Sequence, residues 1–153
     1  MTSWERTGWR DREISSRHRR WGFECPAVDV DFLLIEYHRA EPVAIVEYKH
    51  YRAARPQLSQ PSYRALLALA ERAPKLPFLI ARYWPDTWAF EVTSVNNCAQ
   101  KLFGPLCRLS ERQYVTALHA LRSAPVHERV LRHLNDCPPP QGSAILNHQE
   151  VPS

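Results

Sequence analysis

Acidic residues and a lysine stand at the ends of two neighbouring apolar runs in the first third of the chain. Asp29 and Asp31 precede one run, and Glu47 and Lys49 follow the other, Val43–Val46. A run that is apolar at every position is typical of a central strand buried on both faces, where charge is costly unless it is paired or binds a metal ion. Side chains two residues apart on a strand share a face. We therefore expect Glu47 and Lys49 to point the same way and the four charges to converge on one edge of a sheet.

Residues 37–42, between the two runs, have the character of an antiparallel hairpin connection centred at Arg39 or just past it. The facing pairs are then Asp31 with Glu47 or Tyr48, and Asp29 with Lys49 or His50. Facing residues lie roughly 5 Å apart, so two carboxylates and a lysine share one patch. Mg²⁺ is commonly held by one or two carboxylates and keeps several waters in its shell. The patch therefore predicts metal-dependent chemistry on a phosphodiester, with Mg²⁺ as the cofactor and Mn²⁺ as a substitute.

At these residues the chain resembles the PD-(D/E)XK nuclease superfamily, whose fold is restriction-endonuclease-like. Asp31 on one strand and Glu47-Tyr48-Lys49 at the end of the next carry the resemblance. It implies a core of helix, three strands, helix and strand over about residues 9–97, and a metal-dependent nuclease with Asp31, Glu47 and Lys49 as catalytic residues. The metal ligands so implied are Asp31 and Glu47, with Asp29 as the second candidate for the motif acid and Glu13 as an acid on the first helix. The hairpin register favours Asp31.

Two other interpretations of the same residues stand beside the catalytic one. The first is a surface hairpin whose exposed ion pairs contribute about 0–1 kcal/mol each. The second is a non-catalytic nucleic-acid-binding or protein-interaction module that keeps the fold without turnover. All but three of the 20 basic residues are arginines, yet Lys49 stands where the motif needs a compact ammonium that adjusts its protonation. This lysine, the buried-type run before it and the acid opposite favour catalysis.

Five further residues are candidates for substrate binding. Arg12 and Arg19 belong to the most basic segment, residues 4–20, which is suited to contact phosphates. Arg52 lies in a second basic segment directly after the motif. Gln60 and Tyr63 stand near the start of the next helix, where the resemblance implies a glutamine and a tyrosine that face the active site. DNA is the expected substrate, with RNA as an alternative.

The remaining patterns predict an α/β fold with a central mixed four-stranded sheet flanked by helices and with extra C-terminal helices. Beyond the hairpin, the predicted strands are Leu76–Trp84 and Trp88–Val95, with an edge strand at Trp21–Cys25 as a further candidate. The predicted helices are Asp11–Arg20, Tyr63–Ala73 with Ser59 as the N-cap, Ser110–Arg122 and Pro125–Leu134. We expect one nuclease-like domain over residues 1–136, with the core at 9–97 and a helical extension at 98–136. The proline-rich residues 137–153 are expected to form a disordered tail.

Length and composition limit the class of protein. The chain has 153 residues, a length that suits one domain. Its formal net charge of +4 suits an acidic partner such as nucleic acid. The four cysteines have no C-x-x-C spacing and complete no zinc pattern with the seven histidines. The sequence shows neither a secretory signal nor a membrane span, so we expect a cytoplasmic protein with no membrane partner. No recognition domain is evident, which favours structure-directed cutting or targeting by a partner protein, and a homodimer is a further possible partner.

Overall fold

The structure is a computed structural model that describes residues 14, 17, 20, 21, 28, 30–72 and 74–141, and it has an α/β fold. The strands are β1 (Phe32–Glu36), β2 (Glu41–His50), β3 (Phe78–Trp84), β4 (Ala89–Ser94) and β5 (Leu106–Leu109). The helices are α1 (Pro61–Ala70), α2 (Asn97–Phe103), α3 (Glu111–Leu121) and α4 (Glu128–Leu131). In addition, Ile14, Arg17 and Arg20, within the predicted first helix, have helical conformation.

One mixed sheet organises these elements. Its strands lie in the order β1-β2-β3-β4-β5, and every neighbouring pair is antiparallel except β2 and β3, which are parallel. A parallel pair needs a long crossover, because the chain must return to the same end of the sheet. Helix α1 with its flanking loops provides that crossover. The predicted hairpin and the predicted strand-helix-strand order are thus both present.

The prediction of four strands is wrong, because β5 adds a fifth strand beside β4. Its pairing is antiparallel, with Phe90 opposite Leu109 and Thr93 opposite Leu106. The strand has only four residues, and Gly104 before it adopts a positive φ of 69° at the end of α2. So short an edge strand has little periodicity of its own, and it forms because β4 offers unpaired backbone groups.

Helix α1 differs from its prediction at both ends. Gln60 is the N-cap rather than Ser59, and Pro61 occupies the first turn, where a missing N–H costs nothing. The helix ends at Ala70, and its cap residue Glu71 donates its N–H to the Leu67 carbonyl.

The C-terminal helices confirm one prediction and correct another. Ser110 caps α3 through a capping box with Gln113, as the predicted helix start requires. The second helix, predicted over Pro125–Leu134, is reduced to the four residues of α4, whose N-cap is His127. Of the predicted tail, residues 137–141 are described without helix or strand, and Pro139 in it is buried.

Two apolar clusters pack on the two faces of the sheet. One contains an aromatic group and joins the sheet to α3; its buried members are Ala44, Val46, Leu79, Ala81, Phe90, Val92, Ala99 and Tyr114. The other joins the sheet to α1, and its buried members are Ile45, Tyr63, Leu66, Ala70, Phe78 and Ile80. Because β2 sends alternate side chains to the two clusters, it is the central strand that the sequence pattern predicts.

No helix in the described part of the chain has the length and apolar character that a membrane span requires.

Candidate functional site

The β1-β2 hairpin places Asp31 beside Glu47. Phe32 pairs with Val46, so the next residues outward, Asp31 and Glu47, face each other. The Asp31 backbone N–H donates to Glu47 Oε1 at 3.3 Å, and the Tyr48 N–H donates to Asp31 Oδ2 at 3.2 Å. Of the two registers that the sequence leaves open, the structure therefore adopts the one that sets Asp31 opposite Glu47.

Glu47 and Lys49 share one face of β2, as their spacing predicts. Lys49 Nζ lies 3.7 Å from Glu47 Oε2. Glu47 is only 6% exposed, although it is charged and stands beyond the apolar part of the strand. The Lys49 side chain retains 30% of its exposure, so its ammonium reaches solvent. Asp31, in contrast, is exposed. Exposure to solvent therefore increases from the Glu47 carboxylate through the Lys49 ammonium side chain to the Asp31 carboxylate.

Burial is the main influence on the ionisation of Glu47. It raises the pKa of the Glu47 carboxyl above the ordinary 4.5, and the charge of Asp31 raises it further. The hydrogen bond from the Asp31 N–H and the charge of Lys49 act in the opposite direction but do not cancel the rise. A buried carboxylate with a raised pKa binds a proton or another cation more readily than an exposed one does.

The donor set suits a hard cation. Glu47 of β2 and Asp31, the residue before β1, both offer carboxylate oxygens, and Mg²⁺ is commonly bound through one or two carboxylates plus waters and phosphate oxygens. Within the described residues, no group of three or more His, Cys, Asp or Glu side chains is arranged to hold a metal ion. The other two predicted ligands, Asp29 and Glu13, lie outside the described residues.

The opposite face of β2 fixes the strand that carries the site. Tyr48, between Glu47 and Lys49, hydrogen-bonds the Tyr114 hydroxyl at an oxygen-oxygen distance of 2.8 Å. The centroid of its ring lies 6.4 Å from that of Phe90 and 5.0 Å from that of Phe32, which it contacts edge-on. Tyr114 belongs to α3, so this contact ties the motif strand to a helix far away in the sequence. The aromatic packing holds the backbone of Glu47 and Lys49 in place.

A row of charged residues continues from Lys49 across the sheet. Lys49 pairs with Arg82 of β3, Arg82 with Glu91 of β4, and Glu91 with Arg108 of β5. Arg108 Nε donates to Glu91 Oε2 at 3.2 Å, and Glu91 is only 8% exposed. Sequence reasoning missed this row. The available signal was a charged residue, Arg82, inside an otherwise apolar strand, the same signal that identified Glu47.

The predicted substrate-binding residues are placed differently from one another. Arg52 is exposed just after β2, with its Nε donating to the Tyr51 hydroxyl at 2.7 Å. Gln60 is exposed at the N-cap of α1. Tyr63 is 8% exposed and packs in the apolar cluster under α1, so its ring serves the core. Arg12 and Arg19 lie outside the described residues.

An apolar groove of about 850 Å³ lies at the end of the sheet opposite the motif residues, where β2 and β3 begin. It is lined by Val43, Leu76, Leu102 and Leu121 among others, and it contains none of the three motif residues. Its chemistry does not suit a phosphodiester, so the motif patch is the stronger candidate site.

Comparisons with protein-family models, with curated proteins and with solved structures found no match to this chain.

Proposed function

We propose that this protein is a metal-dependent nuclease of the PD-(D/E)XK type, with a restriction-endonuclease-like core and DNA as substrate. The observation that supports this most strongly is the convergence of Asp31, Glu47 and Lys49. A buried carboxylate, an open carboxylate on the facing strand and a lysine 3.7 Å from the buried one form a single patch. Burying the Glu47 carboxyl costs desolvation free energy, which an apolar residue at this position of the strand would not.

In this proposal Asp31 and Glu47 hold Mg²⁺, with Mn²⁺ as a substitute. When bound, the ion supplies a Lewis acid for the scissile phosphate and lowers the pKa of an attacking water. The Asp31 N–H and the Lys49 ammonium both favour the charged form of Glu47, which is the form that would hold the ion.

Lys49 has two roles in the proposed reaction. Its half-exposed ammonium donates hydrogen bonds to a phosphate oxygen and offsets the negative charge that grows on phosphorus-bound oxygens in the transition state. It also orients the attacking water. A flexible ammonium suits both tasks, because it is a compact point charge with three donors.

The test is cleavage of plasmid DNA, single-stranded DNA and RNA with Mg²⁺, with Mn²⁺ or with EDTA. We expect metal-dependent cleavage that falls about 10²–10³-fold in Lys49→Ala, the size of the loss when one group that stabilises the transition state is removed. Glu47→Ala should lose at least as much. Comparing the three substrates also distinguishes DNA from RNA and internal from terminal cutting.

The chain offers a matched control pair. Lys75 Nζ lies 3.2 Å from Glu71 Oε2 in an exposed ion pair on another part of the surface. Lys75→Ala and Glu71→Ala make the same chemical changes and should leave cleavage unchanged. Metal-dependent cleavage that persists in Lys49→Ala and Glu47→Ala contradicts the site. Salt-sensitive DNA binding without cleavage in any metal would instead indicate the non-catalytic binding module.

A further inference from the structure

A small cavity with both charged and apolar lining residues opens directly beside Lys49. Its volume is about 140 Å³, and Lys49, Arg55 and Arg82 line it together with Glu91 and Thr93. Liquid water occupies about 30 Å³ per molecule, so the cavity has room for roughly four or five waters or one small anion. The loop after β2 forms its outer wall through Arg55, Pro56 and Leu58. The cavity is thus on the sheet, next to the motif residues but separate from the Asp31 side of the patch.

The charges around this cavity are unbalanced. Within the described residues, neither Arg82 nor Arg55 has a carboxylate within ion-pair distance. Arg82 is half-buried, and its Nη2 donates to the Ala53 carbonyl at 3.3 Å. Glu91, the one carboxylate in the lining, already accepts from Arg108. A guanidinium in this position has donors left for an incoming acceptor.

The strand pairing also places an excess of positive charge beside the cavity. Arg82 pairs with Lys49 across the parallel strands β2 and β3, so two like charges are neighbours on one face of the sheet and repel each other. Lys49 has the Glu47 carboxylate at 3.7 Å, but Arg82 has no carboxylate within ion-pair distance among the described residues. The neighbour on its other side, Glu91, turns its carboxylate to Arg108 instead of relieving Arg82. An anion between the two cations removes this repulsion. Carboxylate and phosphate are the anions that arginine recognises with paired hydrogen bonds, and the proposed substrate carries phosphates.

We infer that the cavity between Lys49, Arg55 and Arg82 binds a phosphate group of the substrate, next to the phosphate that is cut. This inference rests on the proposed nuclease function for the identity of the substrate, but the phosphate site itself stands on the cavity and its cations. The group is either an internal phosphodiester or the terminal 5′-phosphate of a strand. A terminal phosphate held there limits cutting to a fixed distance from the strand end.

Binding is measured with labelled oligonucleotides in EDTA, where cleavage is absent. Arg82→Gln should weaken binding about 10-fold or more, the size of a lost charge-assisted hydrogen-bond pair. The slope of log affinity against log salt should fall by about 0.7, since one phosphate contact on a single strand is lost. Arg55→Gln should act in the same direction. Arg129→Gln, the same change at an exposed residue of α4, serves as the control and should change neither quantity.

A 5′-phosphorylated oligonucleotide and its 5′-hydroxyl counterpart distinguish the two phosphate sources. A terminal site is indicated if wild type prefers the phosphorylated strand and Arg82→Gln loses the preference. An internal site is indicated if both strands bind equally and Arg82→Gln weakens both.

Inorganic phosphate provides a readout that is independent of nucleic acid. It should raise the melting temperature of wild type and of Arg129→Gln more than that of Arg82→Gln. Arg82→Lys, which keeps the charge and loses the paired donors, should restore binding only in part. This variant also separates a lost contact from a misfolded sheet.

The inference fails if Arg82→Gln and Arg55→Gln, both folded, bind oligonucleotides and inorganic phosphate as wild type does, even where metal-dependent cleavage is present. If wild type cleaves nothing in Mg²⁺ or Mn²⁺ but loses phosphate binding through Arg82→Gln, the nuclease proposal fails and the phosphate site stands.

Discussion

The two faces of strand β2 have opposite characters at the same positions along the strand. On one face, Tyr48 enters an aromatic cluster in which Phe90 and Tyr114 stack with ring centroids 4.0 Å apart. On the other face, Glu47 and Lys49 stand beside a cavity bordered by further charges. One face is aromatic at this end of the strand, and the other carries the charged residues of the proposed site.

In the proposed site, the groups that oppose folding stand on one face of β2, and the packing that favours it stands on the other. A buried carboxylate and two adjacent cations weaken the sheet locally, because desolvation and like-charge repulsion oppose them. Dense aromatic packing on the reverse side of the same strand offsets that cost. The aromatic face should therefore govern stability, and the charged face should govern ligand binding and chemistry. Substitutions on the two faces test this division.

The largest expected effect on stability is on the aromatic face. Tyr114→Ala should lower the free energy of unfolding by about 3–5 kcal/mol, as for other large aromatic truncations in a core. Tyr114 is only 2% exposed and contacts both Phe90 and Tyr48. Urea unfolding measures the change. Tyr37→Ala, at a residue 69% exposed in the hairpin turn, is the matched control and should shift it by less than about 0.5 kcal/mol. A loss of similar size in both variants would contradict the division.

A smaller effect is expected for the hydroxyl pair on the same face. Tyr48→Phe leaves the buried Tyr114 hydroxyl without the partner it has at 2.8 Å, and should cost about 1–3 kcal/mol. Burial raises the pKa of both hydroxyls, so neither ionises near neutral pH. A double-mutant cycle with Tyr114→Phe measures the coupling, and the double variant should recover part of the loss. Additive losses would show that the hydrogen bond contributes nothing.

The smallest effect has the opposite sign and belongs to the charged face. Glu47→Gln should raise the free energy of unfolding by about 0.5–2 kcal/mol at neutral pH without divalent metal, a gain common where a functional residue is replaced. It should also abolish metal-dependent cleavage. Because the pKa of Glu47 in the folded state lies above the ordinary 4.5, the folded state remains protonated to a higher pH than the unfolded state does. The stability of wild type relative to Glu47→Gln should therefore fall as pH rises above about 4.5 through the folded pKa.

Unfolding in urea between pH 4 and 8 checks this prediction. Glu71→Gln, at an exposed residue paired with Lys75, is the control and should show no such trend. A Glu47→Gln variant that is less stable than wild type at neutral pH would show that the carboxylate stabilises the sheet. Glu47 would then act on stability as the aromatic face does.

Much of the fold and part of the site could be predicted from local patterns. The run Val43–Val46 indicates a central strand, and the spacing around Arg39 indicates a hairpin that sets Asp31 opposite Glu47 or Tyr48, of which the structure has Glu47. Both depend on neighbours in the sequence. The fifth strand could not be predicted, because Leu106–Leu109 is extended through its pairing with β4. Tyr63 shows the same limit, since a position near a helix start does not tell whether a ring faces a site or the core.

The sequence by itself determined the motif strand, its hairpin partner and the fact that Glu47 and Lys49 share one side of β2. These follow from the alternation of side chains along a strand and from a short connection, both of which are local. Only the tertiary structure decided what surrounds them. It brought Arg82, Glu91 and Arg108 into one row with Lys49, and it placed Tyr114 against Tyr48. The reason is that strand pairing and helix packing between segments far apart in the sequence depend on the fold of the whole chain. No local sequence pattern specifies such long-range contacts.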